Sequence, residues 1–238
     1  MKKIMFERER FGLEQAVLDG IKTMTRRAVR LPKDLQPNDV WNPVMGIDDK
    51  GRVYFTFDRI DGKQLDVYPR YQPGEVVAIA QRYRDIPIEQ LMARRLDGKT
   101  DRWPFEELVK QSKGYNNKMF VTASLMLHQI RITDIKVERL NDISNGDCYK
   151  EGIVPTTWRQ WHKQDLHDFS PQQYTDHNVW TLPKFREGIE DPWAESEPDE
   201  FMATTAQAAF AVLIIKMMGR KVWESNPWVF AYEYDLME

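Results

Sequence analysis

Apolar positions in this chain fall more often into short alternating runs than into helical stripes. Val53-Tyr54-Phe55-Thr56-Phe57 leaves an Asp-Lys-Gly turn at 49–51 and reads as a strand. Glu75 to Ala80, after the turn Gln72-Pro73-Gly74, reads as a buried strand. Ile4 to Phe6 and Thr25 to Leu31 read as shorter extended segments, the second ended by Pro32. Trp228, Phe230, Tyr232, Tyr234 and Leu236 share one face of a last strand, with Glu233 and Asp235 on the other. In Ile130 to Leu140 the phase switches. Ile130 and Ile132 share one face while Ile135 and Val137 share the other, which predicts a bulge near Thr133-Asp134.

Helical spacing is rarer. Leu13, Ala16 and Val17 fit one face of a short helix stopped by Gly20. Met202 to Met218 reads as an apolar helix ended by Gly219. Ser144 fits an N-cap, with Asp147 at the N3 position, and Gly152 ends that helix with Glu151 beside the turn. Residues 82–120 read as an insertion, with helices over Glu89 to Arg95 and Phe105 to Gln111. Residues 153–200 hold six prolines or glycines and no clean period, so they read as a long decorated loop. The sum is one domain over 1–238, mixed α+β and mainly β, with insertions at about 82–120 and 154–200. Its roughly six short strands suggest a small β-barrel flanked by short helices more than a doubly wound sheet.

Bulk properties narrow the class. The 238 residues, 42% hydrophobic and 30% charged, are ordinary for a globular protein and long enough to bury most of their apolar surface. The longest apolar run, Ala208 to Ile215, is too short to cross a bilayer, and the N-terminus lacks a signal-peptide core. The lone Cys148 excludes an internal disulfide and a cysteine-based zinc cluster. The expectation is a cytoplasmic protein with no membrane and no disulfide partner. The net charge of −3 is uneven: eleven acids and four bases leave 151–200 at −7, and the other 188 residues at +4. That balance is compatible with a nucleotide or polyanion partner.

The densest chemistry lies in Gly20-Ile21-Lys22-Thr23-Met24-Thr25-Arg26-Arg27, which offers an amine, two hydroxyls and two guanidiniums within eight residues. If Arg26 and Arg27 alternate along a strand, one of them faces the cleft, and Arg27 shares the phase of Thr25. Each residue alone has an ordinary reading: a solvated lysine, a β-forming threonine, a surface glutamate at Glu151. His162, His167 and His177, with Asp165 and Asp168, fit no standard metal-ligand spacing. Trp158, Trp161, Trp180 and Trp193 could stack on bases, but such residues more often pin a long loop to its domain.

Four segments resemble the ASCH domain family, a branch of the PUA-like β-barrels, and look most like its phage and prophage members. The first is Ala16 to Arg27, like the family's G-x-K-x-x-T-x-R. The second is Tyr71 to Ile79, like its turn and following strand. The third is Ile130 to Ile153, and the fourth is Asn226-Pro227-Trp228-Val229-Phe230-Ala231-Tyr232-Glu233-Tyr234. They cover about half the chain in the family's order; the two insertions depart from it. The resemblance implies Lys22, Thr25 and Glu151 as catalytic residues for amide hydrolysis on an N4-acylated cytidine, with Thr25 as nucleophile. It implies Arg26 or Arg27 as substrate-binding residues, and neither cofactor nor metal. Alternatives are a non-catalytic reader of a modified base or single-stranded RNA and, more remotely, a ribonuclease.

Overall fold

A computed structural model describes residues 1–95, 102–161, 174–184 and 202–237. In it ten strands are described: β1 (Lys2–Ile4), β2 (Met24–Ala28), β3 (Val40–Ile47), β4 (Val53–Arg59), β5 (Gln64–Val67), β6 (Val76–Ile79), β7 (Gln129–Arg139), β8 (Val154–Trp161), β9 (Tyr174–Thr181) and β10 (Trp228–Met237). The described helices are α1 (Leu13–Leu18), α2 (Ile88–Ala93), α3 (Arg102–Gln111), α4 (Asn145–Lys150), α5 (Ala206–Met218) and α6 (Arg220–Ser225), joined by short 3-10 turns.

The strands form three sheets: five strands in the order β1-β6-β7-β10-β2, three in the order β3-β4-β5, and the hairpin β8-β9. The pairing of β1 with β6 is parallel and the remaining ladders are antiparallel. The expected closure into a barrel is not found. Among the described residues β1 and β2 remain sheet edges, and what joins their neighbourhoods is a side chain: Arg27 Nη2 donates to the Met5 carbonyl at 2.9 Å. Nor is the chain mainly β, since helix and strand contribute comparable shares.

The core lies between the two larger sheets. Alternation on β10 turns Trp228, Phe230 and Tyr232 toward aromatic residues of β4 and the segment before β6. Phe57 meets Trp228 edge-on at 5.3 Å between ring centres, Phe55 meets Phe230 at 5.8 Å, and Tyr71 meets Tyr232 at 5.3 Å. The phase switch in β7 is a real irregularity: Glu233 pairs with Asp134 but Tyr234 pairs with Ile132, leaving Thr133 as the extra residue. The insertion builds its own small apolar cluster from Tyr83, Ile86, Leu91, Val109, Val121 and Met126, resting on Ala78 and Ala80.

Four strands are hidden from the hydrophobic pattern: β3, the four-residue β5, β8 and β9. The stretch that reads as a decorated loop contains β8 and β9, which pair from Val154 opposite Thr181 to Trp161 opposite Tyr174. Each of their faces mixes polar with apolar residues, so no period marks them. β3 escapes for another reason. Trp41, Val44, Met45 and Ile47 are all exposed on an edge strand, and Asn42 (φ 50°) interrupts its register.

Candidate functional site

The site is built where α4 meets the start of β2. Ser144 caps α4, its hydroxyl accepting from the Asp147 amide at 3.1 Å, as the sequence predicts. That fixes the helix phase so that Asp147 and Glu151, four residues apart, both point at β2. Gly152, with φ at +96°, turns the chain away, and a Cβ there would sit 3.4 Å from that of Lys22. On the other side, the loop after α1 is held by two amides, those of Ile21 and Lys22, which donate to the Ala16 carbonyl. The Thr23 amide donates to the carbonyl of Lys150 at 2.8 Å, which stitches the loop to α4.

Lys22 and Glu151 therefore meet although 129 positions separate them. The Lys22 ammonium donates to Glu151 Oε2, to the Glu151 carbonyl at 3.0 Å and to the Met24 carbonyl at 2.7 Å. Three protons meet three acceptors. Lys22 and Glu151 are 2% and 4% exposed. Burial pushes the Lys22 pKa below the ordinary lysine value, and the Glu151 carboxylate opposes that shift.

Arg26 is the hub of a larger network. Its Nη1 donates to Glu151 Oε1 at 2.9 Å, its Nη2 to Asp147 Oδ2 at 3.0 Å, and both Nε and Nη2 to Glu138 Oε1. Lys136 donates to Asp147 and, at 2.9 Å, approaches Glu138 Oε2. Three cations and three carboxylates thus balance, as buried charges must. Phe210 of α5 lies under the Arg26 guanidinium at 5.6 Å. Arg26 is committed to this network, since each of its three guanidinium nitrogens already donates within it.

Arg27 and Thr25 lie on the opposite face of β2. Pairing with β10 sets Thr25 against Tyr232 and Arg27 against Phe230. Arg27 Nη1 donates to Thr25 Oγ1 at 2.8 Å and to the Arg26 carbonyl at 2.9 Å. Its partners are all neutral, and among the described residues it makes no ion pair with a carboxylate. Thr25 is 2% exposed, while Arg27 is half-buried. Thr25 and Lys22 are not hydrogen-bonded to each other; the Met24 main chain lies between them.

No family model, no curated protein and no solved structure matches the chain.

One residue of this group escapes sequence reasoning. The Tyr234 hydroxyl is buried and has no hydrogen-bond partner among the described residues. The neighbouring tyrosines are satisfied: the Tyr71 hydroxyl donates to the Lys3 carbonyl at 2.8 Å, and that of Tyr232 accepts from the Arg70 amide at 3.0 Å. Burial, with the Glu151 carboxylate adding to it, holds the Tyr234 phenol well above its ordinary pKa; the Arg27 cation acts the other way. The alternation of β10 is visible in the sequence, but an orphaned hydroxyl depends on tertiary register and leaves no sequence signal.

Other candidates supply less. Burial pushes the Cys148 thiol up to about 12, so it stays protonated and unreactive. Among the described residues no cluster of metal-ligating side chains occurs. His162, His167, Asp165, Asp168 and Trp193 lie outside the described residues, as do the side chains of His177, Trp158 and Trp161. Trp180 Nε1 donates to the Tyr149 hydroxyl at 3.4 Å, which ties β9 to α4. A hollow of about 470 Å³ opens within the insertion, lined by Tyr83, Phe105, Leu108, Val109 and Leu125 among others, and it shares no residue with the Lys22 group. No helix among the described residues is long and apolar enough to cross a membrane.

Proposed function

We propose that the chain is an ASCH-type, PUA-like protein that hydrolyses the exocyclic amide of a modified nucleoside resembling N4-acylcytidine. The observation that carries this reading is the buried Lys22–Glu151 ion pair, which the Met24 main chain separates from Thr25. A lysine becomes a useful base when burial depresses its pKa and a carboxylate stands by to take its proton.

In this reading Lys22 first passes a proton to Glu151. The neutral amine leaves the Met24 carbonyl and takes the proton of the Thr25 hydroxyl as the Thr25 oxygen bonds to the acyl carbon. The proton moves on to the leaving nitrogen, the C–N bond breaks, and cytidine departs. Water then attacks the Thr25 ester: one of its protons restores the hydroxyl, the other returns to the Lys22 amine, the acyl group leaves as a carboxylate, and Glu151 releases its proton to solvent. General acid–base help of this kind is worth about 10²–10⁴-fold. Arg27, whose charge has no carboxylate partner among the described residues, faces the developing negative oxygen.

A second reading, a non-catalytic reader of RNA or a modified base, is favoured by one observation. All three ammonium protons of Lys22 are already engaged, the mark of a structural ion pair. Turnover of acylated cytidines and binding of labelled single-stranded RNA, each with wild type and Thr25→Ala, separate the two. An enzyme loses turnover in the variant. A reader shows none in either form and changes only in binding. A wild type that engages neither ligand overturns both readings.

A further inference from the structure

We infer that the Tyr234 hydroxyl and the Arg27 guanidinium form an oxyanion subsite beside Thr25, which receives the acyl oxygen of the substrate and, after hydrolysis, a carboxylate oxygen of the product. The inference rests on the hydrolase reading above, and it adds a catalytic residue that the resemblance does not supply.

Three independent features converge on this subsite. The first is register. Thr25 lies opposite Tyr232, so Tyr234, two residues along the same face of β10, is the diagonal neighbour of Thr25. Diagonal cross-strand pairs are separated by about 7–8 Å at the backbone, within reach of an aromatic side chain. The Tyr234 amide donates to the Thr23 carbonyl at 3.0 Å, which extends the pairing to the loop that carries Lys22. The second is a shared platform. Phe6 packs against the Tyr234 ring, with centres 5.8 Å apart, and lies 5.9 Å from the Arg27 guanidinium carbon. One aromatic ring thus sets the phenol and the guanidinium on the same side of the sheet. The third is unmet capacity. Tyr234 is 1% exposed, and its hydroxyl has no partner among the described residues. Buried polar groups are nearly always paired, so a donor left without a partner calls for an explanation, and a ligand atom that completes it is the one that fits the other two features. Arg27, with only neutral acceptors among the described residues, supplies positive charge there.

The chemistry follows. A protonated phenol can only stabilise an oxyanion by donating, and burial next to Glu151 keeps its proton in place. The hydroxyl donates to the acyl oxygen without giving up its proton, so Thr25 attacks a polarised carbonyl and the hydrogen bond strengthens as charge develops.

Tyr234→Phe tests the assignment. A hydroxyl without a partner contributes no hydrogen bond to the fold, so its removal leaves the melting temperature unchanged or higher. For a donor to the developing oxyanion, kcat on N4-acetylcytidine falls about 100-fold while KM stays within about threefold. Wild-type kcat in a folded Tyr234→Phe protein overturns the assignment and leaves the hydrolase reading intact. A wild type without turnover overturns the hydrolase reading, and an arm without nucleoside then decides the subsite. In protein labelled at tyrosine Cζ, acetate alone shifts the Tyr234 resonance in wild type and not in Arg27→Gln if the subsite exists. A resonance that acetate leaves unmoved overturns it.

Discussion

At the scale of single residues, the Lys22–Glu151 pair is a liability to the fold that the network contains. A buried ion pair with one partner removed leaves an uncompensated charge, which costs about 3–5 kcal/mol. Lys22→Met and Glu151→Gln are each expected to lose stability of that order in urea unfolding. The double variant, which removes both charges, should recover part of the loss. Asp147 carries a pH signature. Burial works to raise its pKa, but Lys136 and then Arg26 win and hold it below the usual 3.8. A carboxylate depressed in the folded state adds stability that is fully present above 3.8 and is lost as pH falls through the folded value. Asp147→Asn should therefore be less stable than wild type near neutrality, with the gap closing below pH 3.8 in a pH series of unfolding curves.

Residue roles are legible in the sequence to an unequal degree. Alternation along a strand is strict, so spacing alone puts Arg26 and Arg27 on opposite faces of β2. Spacing does not show that Arg26 sits among three carboxylates. Glu138, Asp147 and Glu151 come from a strand and a helix whose meeting depends on long-range packing. The same limit hides the Tyr234 hydroxyl.

At the scale of elements, α4 is the piece on which the site depends, since its six residues and the cap that follows them present both Asp147 and Glu151. A helix this short owes its stability to its cap and its packing rather than to propensity. Ser144→Ala removes the hydroxyl that accepts from the Asp147 amide, at a cost of about 1 kcal/mol. Because fraying of α4 loosens Glu151, the variant should also show faster amide exchange at Cys148 and Glu151, whose amides close the helix onto Ser144 and Asp147. An unchanged exchange rate would separate the cap from the site. The cap and the stop at Gly152 are legible because capping is local chemistry. So are α5 and its end at Gly219, and the face of β10. The hairpin β8-β9 is not, because its strands mix polar and apolar residues on both faces. Strand number and turn spacing suggest barrel closure, yet closure depends on whether the two edges come into hydrogen-bonding register. Pattern along one strand says nothing about that.

At the scale of the whole molecule, β10 decides both stability and site geometry. It is paired on both sides, by β7 and β2, and its inner face receives the three-stranded sheet through Phe57 on Trp228 and Phe55 on Phe230. Phe57 is fully buried, and its replacement by alanine removes that clamp and leaves a cavity, for a loss of about 3–5 kcal/mol. A domain of this kind is stable by only about 5–15 kcal/mol, so Phe57→Ala should bring the protein close to its unfolding threshold. The loss should reach the candidate site as well, because Trp228, Tyr232 and Tyr234 ride on the same strand. Trp103 is the counterpart: it is a larger aromatic residue but 78% exposed on α3, in the insertion with its separate apolar cluster. Trp103→Ala should leave the melting temperature within the scatter of ordinary surface substitutions, about ±0.5 kcal/mol in stability. Thermal unfolding of the two variants side by side checks the claim. Equal losses would mean that the insertion and the sheets unfold as one cooperative unit to which exposed Trp103 contributes. A large loss confined to Phe57→Ala places the stability of the molecule, and the positioning of Tyr234, in the seam between the two sheets.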